Sequence, residues 1–275
     1  EELMTIKQAY SDPRRSIIVD GMATTAVNGS MLVPEENTWI TLTVGGSLGR
    51  SYADEPPKIT TEIKEPPRFI LHSSSTHILY LFTRAGQCAT IPVQQLPQVN
   101  EAAEGTAFNT LCSLKAGDEI AAVLSLPPGL EDGYLFLAAE DGEVMRLRLT
   151  DLPGMTAHAF TVMNVGNSRL GWVFPTTGAN DILLATAQGQ TIRFSEEDVR
   201  PTGLPAGGMR GIKLAPQRDR LVGAAVVVEN QYVWSITENG LAKISPMSEY
   251  PAQGRAGAGV INMRLPKDSR EVVTT

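Results

Sequence analysis

The residues of this 275-residue chain best suited to chemistry are a recurring set of cations, each placed just past a glycine turn or inside a glycine-rich stretch. Arg50, Arg146, Arg148, Arg193 and Lys243 follow turns, and Arg210, Lys213, Arg255 and Arg264 sit in or beside the glycine-rich stretches. Guanidinium and ammonium groups at repeated places suit contact with phosphate oxygens, a chemistry of binding and positioning rather than of bond-making. Any one of them alone is equally an ordinary surface charge, and the recurrence is what makes them a set. Arg210, Lys213, Lys243, Arg255 and Arg264 carry the most weight because they fall in a net-positive part of the chain. Arg146 and Arg148, among acidic neighbours, carry the least.

Other chemistries find no residues to perform them. There is no G-x-x-x-x-G-K-[ST] phosphate loop, and Gly254, Gly257 and Gly259 run in the wrong order for a dinucleotide fingerprint. His72, His77 and His158 are scattered without metal-ligand spacing, and no G-x-S-x-G elbow occurs. The run Glu196-Glu197-Asp198 is read as a solvated corner rather than a metal site. Cys88 and Cys112, with no CxxC spacing and apolar neighbours, are expected to be small packed residues in a reducing compartment. No catalytic residue, metal or cofactor is expected in this chain.

Net charge is −7, which by itself argues against a polyanionic partner. Its distribution argues the other way: residues 1–100 carry 8 basic and 10 acidic groups, residues 101–199 carry 5 and 14, and residues 200–275 carry 10 and 6. The longest apolar stretch, Leu221 to Val228, is far shorter than the roughly 20 residues of a membrane-spanning helix, so no membrane anchor is expected. The chain opens on Glu1-Glu2 without a leader and reads as an excised part of a longer cytoplasmic protein. Asn28-Gly29-Ser30 reads as a turn.

These cations must be positioned by β-structure. Short runs rich in Val, Ile, Thr and aromatics alternate with 25 Gly and 18 Pro. Five hairpins are legible, turning at Gly46, Gly86, Gly142, Gly189 and Gly240, spaced 40, 56, 47 and 51 residues apart. A proline follows each turn glycine by 11 residues at Pro57, Pro97, Pro153 and Pro251, and by 12 at Pro201. Gly208 to Leu214 and Gly259 to Leu265 align at an offset of 51 as a glycine-rich crossover. A period near 50 with about four short strands per unit implies radially arranged blades. One domain is expected over residues 1–275, with a lead-in and closing strand over 1–35 and repeats near 36–74, 75–130, 131–178, 179–227 and 228–275.

Several stretches carry a family resemblance over essentially the whole chain. Phe69 to Gly86, Gly208 to Leu214, Ser248 to Gln253 and the opening Tyr10 to Ser16 resemble the C-terminal domain of type IIA bacterial topoisomerase A subunits, those of DNA gyrase and topoisomerase IV. The resemblance implies an all-β fold, a propeller-like β-pinwheel of five or six blades whose positively charged rim bends or wraps duplex DNA. It implies a non-catalytic module contributing to DNA supercoiling or topology control, monomeric when isolated. Its partners would be double-stranded DNA, the ATPase B subunit, and the remainder of the A subunit. The cleavage tyrosine and ATP hydrolysis belong to other domains of that family.

Two departures qualify what is carried over. The family's gyrase-A box, Gln-Arg-Arg-Gly-Gly-Lys-Gly, follows the first hairpin, where this chain reads Ser51 to Lys58 with no box. Its nearest approach is Gln253-Gly254-Arg255-Ala256-Gly257-Ala258-Gly259, with one cation where the box has three. Losing two phosphate contacts flattens the salt dependence of binding by about two units of slope. Second, five hairpins are legible against a usual six in gyrases. Either the domain has five blades, closed partly by a strand around Ser16 to Val19, or the chain is part of a longer one. The residues expected to touch DNA are thus Arg50, Arg193, Arg210, Lys213, Lys243, Gln253, Arg255 and Arg264, through phosphates and without sequence preference. Two alternatives stand beside this: a propeller-like protein-interaction domain, and a gyrase-like pinwheel with degenerate wrapping.

Overall fold

Each hairpin is closed by the same local device. The N–H of the turn glycine donates to the carbonyl three residues earlier, at 3.0–3.1 Å for Gly46, Gly86 and Gly142. In four hairpins that earlier residue is a threonine, whose Oγ1 also accepts the N–H of the residue after the glycine: Ser47 to Thr43 at 2.9 Å, Gln87 to Thr83 at 3.1 Å, Gln190 to Thr186 at 3.3 Å and Leu241 to Thr237 at 3.1 Å. The third hairpin has Ala139 there, and the Asp141 carboxylate takes over, accepting from Glu143 N–H at 3.2 Å. Gly86 holds φ 77° and Gly189 φ 75°. A Cβ at either would strike a backbone carbonyl of the next repeat, Met163 O or Met263 O, at 2.0 and 2.1 Å. These two positions are closed to any side chain on both counts.

The computed structural model describes residues 34–52, 55–59, 65–216, 219–266 and 268–275. The expected lead-in and the closing strand around Ser16 to Val19 lie outside them. Unit one contributes the hairpin β1 (Asn37–Thr43) and β2 (Ser47–Ser51) and a long strand β3 (Pro67–Ser74). Unit two runs β4 (Ile78–Thr83), β5 (Gln87–Pro92), a short β6 (Thr106–Ala107) and β7 (Ile120–Leu126). Unit three has β8 (Tyr134–Ala139), β9 (Glu143–Arg148), β10 (Phe160–Thr161), β11 (Met163–Asn164) and β12 (Leu170–Thr176). Unit four has β13 (Asp181–Thr186), β14 (Gln190–Ser195), β15 (Ala206–Gly207), β16 (Met209–Arg210) and β17 (Leu221–Val226). Unit five has β18 (Tyr232–Thr237), β19 (Ala242–Pro246), β20 (Val260–Ile261) and β21 (Val272–Thr274).

The sheets do not follow these units. In the order β10-β5-β4-β7, the long strand β7 returns to its own hairpin while β10 arrives from unit three. The orders β3-β1-β2-β6, β12-β8-β9-β16 and β17-β13-β14-β20 repeat the scheme, so each short crossover strand completes the preceding blade. This exchange satisfies the outer edge of each hairpin with backbone partners that its own unit does not supply. A 3₁₀ turn follows four hairpins, at Val93–Gln95, Leu149–Asp151, Glu196–Asp198 and Met247–Glu249, and turns the chain into the crossover.

The core lies between blades rather than within them. On β1, β4, β8 and β13 the residue six before the turn glycine faces the next blade: Ile40, Tyr80, Phe136 and Leu183, exposed by 0, 5, 0 and 6%. Leu183 packs with Val233 of blade five in this way, and Phe136 with Ile182 and Phe194 of blade four. The same place in blade five is Trp234, 54% exposed and flanked by exposed Tyr232 and Ile244. Blade five has only three strands among the described residues, β19-β18-β21, and a Cβ on Gly240 meets nothing within 4 Å. The described chain is an all-β pinwheel of five blades whose fifth blade presents an uncovered apolar face.

Candidate nucleic-acid interface

The cations divide into two groups by what their side chains do. Arg50, Arg146 and Arg193 occupy one place in the repeat, four residues past the turn glycine. Each uses its backbone to hold the corner of the next unit: Arg50 N–H donates to Pro97 O at 2.9 Å, Thr202 N–H to Arg146 O at 2.9 Å and Gln253 N–H to Arg193 O at 2.8 Å. Their side chains stay in the structure. Arg50 Nε donates to Leu96 O at 3.0 Å, with its guanidinium over the Tyr52 ring. Arg193 Nε pairs with Asp181 at 2.7 Å, and its Nη2 reaches Glu229. Burial disfavours that charge, but the hydrogen bonds and charges of Asp181 and Glu229 outweigh it and hold the guanidinium more firmly protonated than usual.

Arg146 is 7% exposed, lies over the Tyr134 ring at 4.6 Å and stands 3.8 Å from Glu196. Glu196 corrects the reading of its acidic run as solvated. It is fully buried, and its carboxylate accepts from Thr176 Oγ1 at 2.6 Å, Gly178 N–H at 2.9 Å and Asn180 N–H at 2.8 Å. Val93, Leu149 and Met247 hold this place in units two, three and five, so the charge replaces a packed apolar residue and requires that full set of partners. Glu197 and Asp198 are exposed, as expected.

The second group lies on the crossovers. Arg210 and Lys213 are exposed on that of unit four, and Arg264, the counterpart of Lys213 at an offset of 51, is exposed on that of unit five. Lys213 and Arg264 make no ion pair among the described residues. Arg210 stands opposite Glu143 in the β16–β9 pairing. Burial and then the charge of Asp141 raise the Glu143 carboxyl pKa, and Arg210 pulls it back. Lys243 is half-buried and donates Nζ to Asn262 O at 2.6 Å, so its charge is tethered beside the last crossover.

Arg255 joins the two crossovers. Its Nε donates to Asp198 O at 2.9 Å and its Nη1 to Arg210 O at 3.1 Å, while Lys213 N–H donates to Gly257 O at 2.8 Å. Gln253, half-buried, is fixed by its backbone on Arg193. Arg200, two residues past the Asp198 carbonyl that Arg255 holds, escaped the sequence reading. It is exposed and occupies the corner place held by Pro97, Pro153 and Pro251, displacing its own Pro201 by one residue. The only sequence signal was the spacing of 12 instead of 11.

No group of three or more metal-ligating side chains occurs among the described residues, and no helix there is long and apolar enough to cross a membrane. Cys88 is buried, and desolvation pushes its thiol well above the usual range. Cys112 is half-buried and is pushed the same way by the same cause.

Comparison with known proteins supplies the family. A family profile described as "DNA gyrase C-terminal domain, beta-propeller" matches residues 77–127, 180–227 and 231–275. The DNA gyrase A subunit of Buchnera aphidicola subsp. Baizongia pistaciae is 31% identical over 287 residues, covering 100% of this chain and 33% of that protein. The A subunit of DNA topoisomerase 4 from Bacillus subtilis is 27% identical over 279 residues, covering 98% and 34%. The chain thus spans about a third of the length of these relatives. A crystal structure of the C-terminal domain of DNA topoisomerase IV superposes with a TM-score of 0.76 at 21% identity, covering 87% of this chain and 77% of that one. The strand-exchanged blades, the shared fold and the matched profile place this chain in the family of DNA gyrase C-terminal domains, the β-pinwheel region of type IIA topoisomerase A subunits.

Proposed function

We propose that this chain binds duplex DNA without sequence preference and bends it along the crossover edge of blades three and four, as the DNA-handling module of a cytoplasmic type IIA topoisomerase. The observation that supports this most is the pair of hydrogen-bonded crossovers that carry Arg210, Lys213, Arg255 and Arg264, with Lys213 and Arg264 at one repeat position and Arg200 at the corner before the first. Exposed cations spaced along a rigid β edge match phosphates, which give affinity but no sequence information. Arg50 and Arg193 serve the fold instead, and Lys243 and Gln253 shape the crossover.

ATP hydrolysis and cleavage are assigned to a B subunit and to the remainder of the A subunit, with no cofactor in this module. With one box cation in place of three, bending is favoured over tight wrapping. The test is electrophoretic mobility of a long duplex with the variant Arg200→Gln/Arg210→Gln/Lys213→Gln/Arg264→Gln. Loss of the complex with an unchanged thermal midpoint supports the reading, and retained affinity overturns it.

The apolar far face of blade five favours a second reading, a protein-interaction surface. Under it, the quadruple variant keeps full activity in the holoenzyme while Trp234→Asp abolishes it.

A further inference from the structure

The strands β3, β7, β12, β17 and β21, each paired with its own hairpin, carry a one-residue bulge at the same register, just before the end of that pairing. The bulged residues are Arg68, Ala121, Gly171, Val222 and Val273, and all five line a single cavity of about 420 Å³. A bulge redirects its side chain and bends its strand, and here the device is repeated once per blade around one point. The cavity is therefore the hub of the pinwheel, lined by the strand that in blades one to four forms the sheet edge opposite the crossover strand.

Its lining is unusual in charge. Arg68, Arg84, Arg169 and Arg220 face it with one carboxylate, Glu140. Arg84 pairs with Glu140 at 2.6 Å, Arg220 with Glu271 at 2.9 Å, and Arg169 with Glu119. Glu119 and Glu271 are not part of the lining. Arg84 Nε, 3.4 Å from Glu119, is buried without a hydrogen-bond partner. Arg68 makes no ion pair among the described residues, and burial followed by the neighbouring Arg84 charge makes it less basic than usual. Glu119 lies between Arg84 and Arg169, so three of the four guanidiniums are paired, but within the lining itself cations outnumber carboxylates four to one and Arg68 keeps its donors free of any ion pair among the described residues.

We propose that the hub binds a small multivalent phosphate, with pyrophosphate as its simplest form, held by Arg68 and Arg84 and flanked by Arg169 and Arg220. Planar guanidinium forks donate in pairs to tetrahedral oxyanions, and the cavity falls within the 300–1,000 Å³ typical of small-molecule sites. Because the lining draws on every blade, the bound anion ties the repeats together. This site is separate from the crossover edge and does not depend on the DNA reading.

The experiment titrates pyrophosphate into the 275-residue chain by calorimetry at low salt and follows the thermal midpoint in parallel. Expected are saturable binding near one per chain, a rise in midpoint, and at least tenfold weaker binding in Arg68→Gln, with Lys213→Gln/Arg264→Gln unchanged. Val273→Asp, which puts a carboxylate into the hub while leaving every arginine, loses binding as well and guards against a folding defect in the first variant. Citrate binds at least tenfold more weakly than pyrophosphate. Absence of saturable binding, equal loss in the crossover variant, or a preference for citrate overturns the proposal.

Discussion

The Arg255 guanidinium donates to the carbonyl of Arg210 at 3.1 Å, and the very next residue, Ala256, donates its N–H to Gly211 O at 2.6 Å. This pair of bonds lays the fifth crossover against the fourth and makes one basic edge of two repeats. It also holds Ala256 at φ 66°, a left-handed conformation at the place where the box heptad carries glycine.

An alanine in that conformation is strained by about 1 kcal/mol relative to glycine. Ala256→Gly is expected to raise stability by roughly 0.5–1 kcal/mol, less whatever the freer unfolded chain offsets. Urea denaturation measures it, and a loss of stability of that size contradicts the conformational account.

Box cations can be restored without rebuilding the corner. A Cβ on Gly254 meets nothing within 4 Å, and Ala258 is exposed. Gly254→Arg/Ala258→Lys is expected to steepen the dependence of log affinity on log salt by about two units. Fluorescence anisotropy with duplex over a salt series reads this directly. An unchanged slope means the heptad lies off the DNA path.

Glu143 faces Arg210 across the β9–β16 pair with its pKa raised by burial and by Asp141. A carboxyl raised in the fold is most favourable when protonated, so its contribution to stability is present below the unfolded pKa and lost as pH rises through the folded one. Glu143→Gln removes that loss. The variant is expected to be more stable than the parent at neutral pH, the gap closing under acid, and to bind duplex more tightly because Arg210 is unopposed. Thermal melts from acid to neutral pH check the first effect and anisotropy the second.

Phe136 and Trp234 hold the same repeat position with opposite exposure. Phe136→Ala is expected to cost about 3–5 kcal/mol, as for a buried aromatic, and Trp234→Ala only about 0.5 kcal/mol. Equal costs would show that the far face of blade five is covered.

The hairpins, their turn glycines and the crossovers were legible because tight reversals demand glycine and because Thr43, Thr83, Thr186 and Thr237 recur with them. Strand exchange was not legible: the stretch from Gly208 to Leu214 reads as a glycine-rich crossover, which does not say that Met209 and Arg210 pair with Val144 and Glu143, a blade earlier. For the same reason Arg50 and Arg193 read as free cations. Their partners, Leu96 O, Asp181 and Glu229, come together only through the fold. Glu196 misled because a charged residue in a corner is usually solvated, and its Thr176, Gly178 and Asn180 donors lie 16 to 20 residues away.

The most direct test of the central claim is the affinity of this chain for duplex DNA measured across a salt series. An edge of four to five phosphate-facing cations predicts a slope of log affinity against log salt of about −4, equal for unrelated sequences. A slope near zero, or affinity confined to one sequence, contradicts it.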